Sequence, residues 1–438
     1  MEPYPISIIQ LQRRDPVAWS ALLSRLVDPA EVTVTDVTSE PVQIADLGVL
    51  GWIKKESSHR VRRYTLTLEG HSDPITFIAK KTNLTEGHVY RLANMHKESL
   101  LPPLCFLHSD GEHSWLILED VPGDITPDRW TPHHVDAVVE SLAAFHAATW
   151  DISEIADEDH FCNREELLPH FLQGEHMPYT WDELRRQHSV LFEQGPAAVL
   201  SEHAIQNAGR LAPALLAAAN GLVIMRDLGG WPGVLGESHL AAAADLLDDP
   251  VPVLGPLANL PLSILNGSPH PYHWRLTLFD ERYLVDWSEA HLGPGVLDLV
   301  AFIEHYPLID NGPADDKPWG LPSAHPKHPI IRLRELTPLF EETLIDTYQL
   351  AMSMRLGSGY PSRAFRAALP AARCLHVLTT WFAYFGSWFA DMPDPYTWQR
   401  INRMSERELS SSMYFPIAGI RPYLAGVFER FLRAYRNL

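Results

Sequence analysis

LSILNGSPHPYHWRLTLFDERYLVDWSEAHLGPGVLDL, residues Leu262 to Leu299, is the stretch on which the fold turns. Two short apolar runs, RLTLF and RYLVDW, flank a turn built on Asp280 and Glu281, and a polar loop rich in Pro and His precedes them. Runs of this length bounded by turn residues mark strands, so the stretch reads as a buried hairpin with a loop before it and an acid, Asp286, at its end. A hairpin set into an otherwise helical region is a typical mount for a site.

The flanks set its context. From Asp136 the periodicity is helical, as in VVESLAAFHAATW, where Val139, Leu142, Ala143 and His146 share a face. The last hundred or so residues read as helical too, with many of their aromatics expected at the surface. Upstream, TLTLEG (Thr65 to Gly70) and ITFIAK (Ile75 to Lys80) alternate, and His71, Ser72 and Asp73 supply turn chemistry between them. Thr85 precedes a helical pattern carrying Val89, Leu92 and Ala93, Pro102 and Pro103 stop it, and the apolar strand WLILED follows. Strand, strand, helix, strand and then helices predict an α+β fold: a small antiparallel-sheet lobe over residues 1–120, and a large mainly helical lobe over 121–438 that carries segment 262–299.

Size and charge narrow the function. At 438 residues the chain exceeds what one compact core usually serves, which agrees with two lobes sharing a cleft. Lys and Arg number 35 against 55 Asp and Glu, a net charge of −20 that repels a phosphate backbone, so nucleic acid is excluded as a partner. Cys105, Cys162 and Cys374 are too few and too far apart for a disulfide framework or a CxxC motif, and a reducing cytoplasm is expected. No secretory signal pattern opens the chain. The longest apolar stretch, near Ala212 to Met225, is too short to span a membrane, so no membrane association is expected. Loops of the GxxxxGK[ST] and GxGxxG types, HExxH helices and GxSxG elbows do not occur.

The order of elements, with FIAKK, NLTEGHVYRL, WLILEDVPG, LAAFHAATW and the loop-hairpin stretch, resembles the aminoglycoside phosphotransferase and choline kinase branch of the protein-kinase-like superfamily, roughly from Val32 to Ile303. That resemblance implies a bilobal fold that binds ATP with magnesium. It implies that a strand lysine, Lys80 or Lys81, holds phosphates and that Glu86 on the following helix orients it. Strand alternation places Lys80 with Ile78 on one face and Lys81 with Ala79 on the other. Backbone groups from Glu119 to Val121 would meet an adenine. Ser57 and Ser58, in KKESSHRVRRY, stand where the family covers the phosphates with Gly and Ser, and this chain has no Gly between Lys54 and Glu69. His146 reads as a packed core histidine.

The catalytic loop of that family runs His-Gly-Asp, four residues, then Asn, followed by a hairpin and Ile-Asp-Trp. This chain has Asn266, Gly267 and Ser268, then His273, and after the hairpin Val285, Asp286 and Trp287. Asp286 matches the metal-binding acid, and Gly293 with Asp298 matches a structural turn. Ser268 stands in the place of the base and His273 in that of the magnesium-binding Asn. A serine hydroxyl is a poor proton acceptor near neutral pH, and general-base help contributes about 10² to 10⁴ in rate. A His nitrogen suits zinc and other transition metals better than magnesium.

Two functions follow from that loop. One is a pseudokinase-like module that binds a nucleotide, another ligand or a protein partner. The other is an active but atypical ATP-dependent phosphotransferase acting on a small-molecule or peptide hydroxyl, with His270 as a relocated base. The acidic run from Asp151 to Leu167 hints at a cationic acceptor or partner. The pairs His270 with His273 and His325 with His328 lie among prolines, where loop polarity explains them.

Overall fold

The computed structural model describes residues 6–26, 32–42, 61–93, 100–151, 172, 208–308, 334–388, 395–405, 407–408 and 415–438. Two helices, α1 (Ile8–Gln12) and α2 (Pro16–Leu26), precede strands β1 (Val34–Pro41), β2 (Val61–Leu68) and β3 (Ile75–Thr82). Helix α3 (Leu84–Ala93) leads to β4 (Leu104–Ser109) and β5 (Ser114–Glu119). The five strands form one sheet in the order β1-β2-β3-β5-β4, with every neighbouring pair antiparallel. The expected hairpin is present, Leu66 opposite Ile75 and Val61 opposite Lys80.

Side-chain alternation gives the sheet two apolar faces. Tyr64, Leu66 and Leu68 of β2, with Phe77 of β3 and Ile117 of β5, pack against Trp19, Leu22 and Leu23 of α2. Trp19 is fully buried, and its indole N–H donates to the carbonyl of Leu11, which ties the two helices together. The opposite face, with Leu116 and Leu118, meets α3 and belongs to a continuous core that runs into the helical lobe.

That lobe begins with α4 (Pro132–Ala148) and continues through α5 (Ala212–Asp227), α6 (Glu237–Asp248) and α7 (Val251–Ala258). The stretch from Leu262 then breaks the helical run. It forms two small sheets, β6 (Ser263–Leu265) with β9 (His291–Gly293) and β7 (Trp274–Leu276) with β8 (Arg282–Leu284). Helices α8 (Val296–His305), α9 (Pro338–Leu356), α10 (Ser362–His376), α11 (Ala383–Trp388), α12 (Pro395–Arg403) and α13 (Phe415–Tyr435) complete it. The α+β arrangement of a small sheet lobe and a large helical lobe is as expected.

Three local readings need correction. The first turn of α3 is capped by Asn83, whose Oδ1 accepts the Glu86 N–H at 3.0 Å, so the helix starts ahead of Thr85. The β7-β8 hairpin is shorter than RLTLF and RYLVDW suggest, because Thr277 and Glu281 close the turn and leave Leu278 and Phe279 exposed. Among the described residues, six carboxyl-terminal aromatics are interior: Trp381, Phe382, Phe385, Trp398, Phe428 and Phe431 are at most 1% exposed. In α13 they belong to one helical face, Tyr423, Leu424, Val427, Phe428, Phe431 and Ala434, all of it buried.

Candidate functional site

A cavity of about 520 Å³ lies between the lobes, within the usual size of a small-molecule site. Its wall includes Ile78, Lys80 and Glu86 from the sheet lobe, Glu119 to Gly123 from the linker, and His273 to Arg275 with Asp286 from the helical lobe.

Alternation along β3 separates the two candidate lysines. Lys80 turns into the cleft and Lys81 to the other face, where its Nζ lies 5.4 Å from the centre of the Trp115 ring. Lys80 Nζ is 2.7 Å from Glu86 Oε2 and 2.7 Å from Asp286 Oδ1. Burial disfavours the Lys80 charge, but the two carboxylates outweigh it and raise the pKa above the ordinary lysine value. Asp286 is the mirror case: burial pulls its pKa up, and Lys80 first, then His273, with hydrogen bonds from Lys80 and Ser288, hold it well below the carboxylate range.

Glu86 is 1% exposed and fully engaged. Besides Lys80 it accepts the Thr82 hydroxyl at 2.5 Å and the Trp287 N–H at 3.2 Å. Asp286 adopts a left-handed backbone, φ 62, which an Asp tolerates better than most side chains. Its carbonyl accepts from Asn266 Nδ2 at 3.0 Å, and Ser288 Oγ donates to its Oδ1 at 2.9 Å.

The loop that supplies Asn266 is fastened from beneath. Asp298 accepts the backbone N–H groups of Asn266 at 2.7 Å and Gly267 at 3.0 Å. Gly267 has φ 82, and a Cβ there would collide with the carbonyl of Glu289, so only glycine passes. Ser268 is partly buried, its N–H bonded to Asn266 Oδ1 and its carbonyl accepting from His270 N–H and His273 Nδ1. A carbonyl only accepts, so Nδ1 of His273 carries a proton, while Nε2 lies 4.0 Å from Asp286 Oδ2.

These two atoms are the His and carboxylate donors that stand nearest each other on the cavity wall. Among the described residues no cluster of three His, Cys, Asp or Glu side chains is spaced to hold one. The pair fits a divalent ion that arrives with ligand oxygens; the other Asp286 oxygen is committed to Lys80 and Ser288. The charges point the same way. Three cations, Arg63, Lys80 and Arg275, face four carboxylates, Glu86, Glu119, Asp120 and Asp286, across the cavity wall. Leaving His273 aside, that sums to −1, so a polyanionic ligand gains from bringing its own cation.

The remaining expected positions fall into four groups. Ser268 and His270 do not line the cavity among the described residues; His270 is 1% exposed, its ring centre 4.7 Å from that of His305. His146 is fully buried with Nδ1 2.7 Å from the Tyr348 hydroxyl, a core histidine. In the linker the Val121 N–H donates to the Glu119 carbonyl at 3.0 Å, so the two groups expected to meet a base meet each other. Ser57, Ser58, the acidic run beyond Asp151, and His325 with His328 lie outside the described residues.

Sequence reasoning missed the linker end of the cleft. Arg63 donates from Nε to Asp120 Oδ2 at 2.5 Å. Arg275 packs on Gly123, and burial lowers its pKa, with Asp120 pulling the other way. Alternation offered a signal, since Arg275 sits between Trp274 and Leu276, both buried, and must face the other side.

A two-lobed α+β protein with a lysine bridging two carboxylates in the interlobe cleft is the class that this fold and site define. No protein-family model matches the chain, and no curated protein matches it. Solved structures resemble it at low identity. An aminoglycoside phosphotransferase from Alicyclobacillus acidocaldarius is 13% identical over 85% of this chain and 89% of that one, TM-score 0.40. A choline/ethanolamine kinase family protein from Mesorhizobium loti is 12% identical over 85% and 89%, TM-score 0.39. An amicoumacin kinase, solved with AMP-PNP, Ca2+ and Ami, is 10% identical over 85% and 87%, TM-score 0.41. Likenesses at these levels carry nothing about activity.

Proposed function

We propose that the chain is a pseudokinase-like module that binds a nucleoside triphosphate with a divalent cation in the interlobe cleft. The observation that carries the reading is the Lys80 ion pair with Glu86 and Asp286, beside a loop with a serine at the position of a base. Lys80 would hold phosphate oxygens, Glu86 keeps Lys80 aimed, and Asp286 with His273 would hold the cation, which screens phosphate charge. Ser268 has no charge with which to orient an acceptor hydroxyl and no basicity to take its proton, so transfer is at best slow.

Support for an active transferase with His270 as base is weaker, because a ring 1% exposed and not among the described residues of the cavity wall has no ready route to an acceptor. The acceptor or partner side belongs to the same proposal: a small molecule, a peptide or a protein, with cationic groups favoured by the net charge of −20. Calorimetry with ATP and magnesium or manganese, paired with a phosphate-release assay, tests the reading. Saturable binding with turnover no faster than the buffer control is expected. Robust turnover that Asp286→Ala abolishes, or no nucleotide binding with either metal, would overturn it.

A further inference from the structure

The same alternation that sends Lys80 into the cleft sends Lys81 into a second cavity, on the outer face of the sheet, with a volume of about 500 Å³. Helices α1 and α2 roof it and strands β2, β3 and β5 form its floor. Three cations, Arg14, Arg62 and Lys81, line it, and none of the described lining residues is a carboxylate. In a chain with 55 acids against 35 bases, a lining whose charges are all positive runs against the average. Trp115, partly exposed, lies under the Lys81 ammonium, and the buried pair Trp19 and Tyr64, ring centres 5.2 Å apart, backs the cavity from the core.

The position of Arg14 is the second observation. Helix α1 ends in a two-bond cap: the Arg14 N–H donates to the Leu11 carbonyl and the Asp15 N–H to the Gln10 carbonyl. The residue at this place takes a left-handed backbone and is usually glycine. Here it is an arginine at φ 62, and its side chain lines the cavity. Arg62 is aimed across the same space by hydrogen bonds from Nη2 to the Ser39 carbonyl and hydroxyl, at 3.3 and 3.1 Å. Burial raises the Tyr64 hydroxyl pKa, and the charges of Arg62 and Arg14 pull it back, so both guanidinium groups act on this pocket.

We infer that this outer cavity is a binding site for an organic anion, a carboxylate or phosphate carried on a flat apolar body. The volume suits a small molecule, the Trp115 ring suits its flat body, and the three cations suit its charged end. Because the site lies across the sheet from Lys80, its ligand does not compete for the cleft.

Calorimetry on the full chain with 2-naphthoate, 2-naphthyl phosphate, 2-naphthol and inorganic phosphate tests this and separates a carboxylate from a phosphate ligand. One of the two naphthyl anions binds with one-to-one stoichiometry; 2-naphthol and inorganic phosphate bind at least about tenfold more weakly. Arg62→Ala and Lys81→Ala each weaken the anion about tenfold. Arg14→Gly weakens it too while the melting temperature holds or rises, which a merely structural arginine would not produce. Asp286→Asn leaves the affinity unchanged. The proposal fails if neither anion saturates, if 2-naphthol or inorganic phosphate binds equally well, or if the Arg62 and Lys81 variants bind as the parent does. It fails also if Asp286→Asn abolishes the binding.

Discussion

Lys80 Nζ lies 2.7 Å from Asp286 Oδ1, 206 residues further along the chain, and the same ammonium holds Glu86. One cation therefore closes the cleft electrostatically before any ligand enters. Lys80→Met leaves two carboxylates facing each other in a largely desolvated space, a situation that typically costs about 3 to 5 kcal/mol. Denaturant unfolding should show a loss of that order. Lys80→Met combined with Glu86→Gln should recover part of it, and recovery of none would mean that the pair is not coupled.

Nucleotide binding should depend on a divalent ion. The cleft sums to −1, and Asp286 already has one oxygen bound to Lys80. ATP in EDTA is expected to bind at least about tenfold more weakly than with magnesium or manganese. In Asp286→Asn the advantage of the metal should shrink. His273→Asn replaces a nitrogen donor by an oxygen and should shift preference from manganese towards magnesium.

Ser268→Asp restores a carboxylate to the loop. Its backbone is already fixed by Asn266 and by the Asp298 carboxylate below, so the change needs no new loop geometry. If positioning is otherwise intact, phosphate release should rise by up to about 10². No rise, with nucleotide still bound, would place the defect in the metal pair instead of the base.

Acid should unfold the helical lobe in two windows. His376 is buried, and burial lowers its pKa from 6.5 to about 4. The unfolded chain therefore takes up the proton first, and the contribution is complete above pH 6.5 and lost as pH falls towards 4. Glu304 is fully buried; burial raises its pKa, but Arg430 and Arg373 outweigh this and hold it at about 2 against 4.5. Its contribution is complete above pH 4.5 and lost between there and 2. Each shift corresponds to about 3 kcal/mol. Chemical denaturation at pH 7, 5.5, 4 and 3 should trace both steps, and Glu304→Gln should flatten the lower one.

Much of this architecture was legible in sequence because it depends on local rules. Period-two alternation in β2 and β3 gave the hairpin, and it posed the Lys80 and Lys81 alternative in the right terms. Only the register with β5, Lys80 opposite Leu116, settles which face is the cleft. The role of Asp298 was out of reach, since nothing in HLGPGVLDL says that its carboxylate will bind two N–H groups some 30 residues upstream. The burial of His270 was out of reach as well. Its loop is polar and proline-rich, which suggests exposure, but α8 supplies His305 to cover it. Burial of that kind is decided by distant segments and leaves no mark on the loop itself.

The contacts of α3 limit how this molecule can be controlled. Glu86 is gripped from β3 by Lys80 and Thr82 and from the hairpin by the Trp287 N–H, while the Asn83 side chain donates to the Ser288 carbonyl at 2.7 Å. A helix pinned at one end to both lobes cannot swing outward as a lever without first unmaking all of these bonds. A smaller event is cheaper: an incoming anion that takes the place of Asp286 on Lys80 frees one carboxylate and leaves α3 where it is. Control by a partner would then act through the charge it brings to the cleft mouth, at Asp286 and not at the helix.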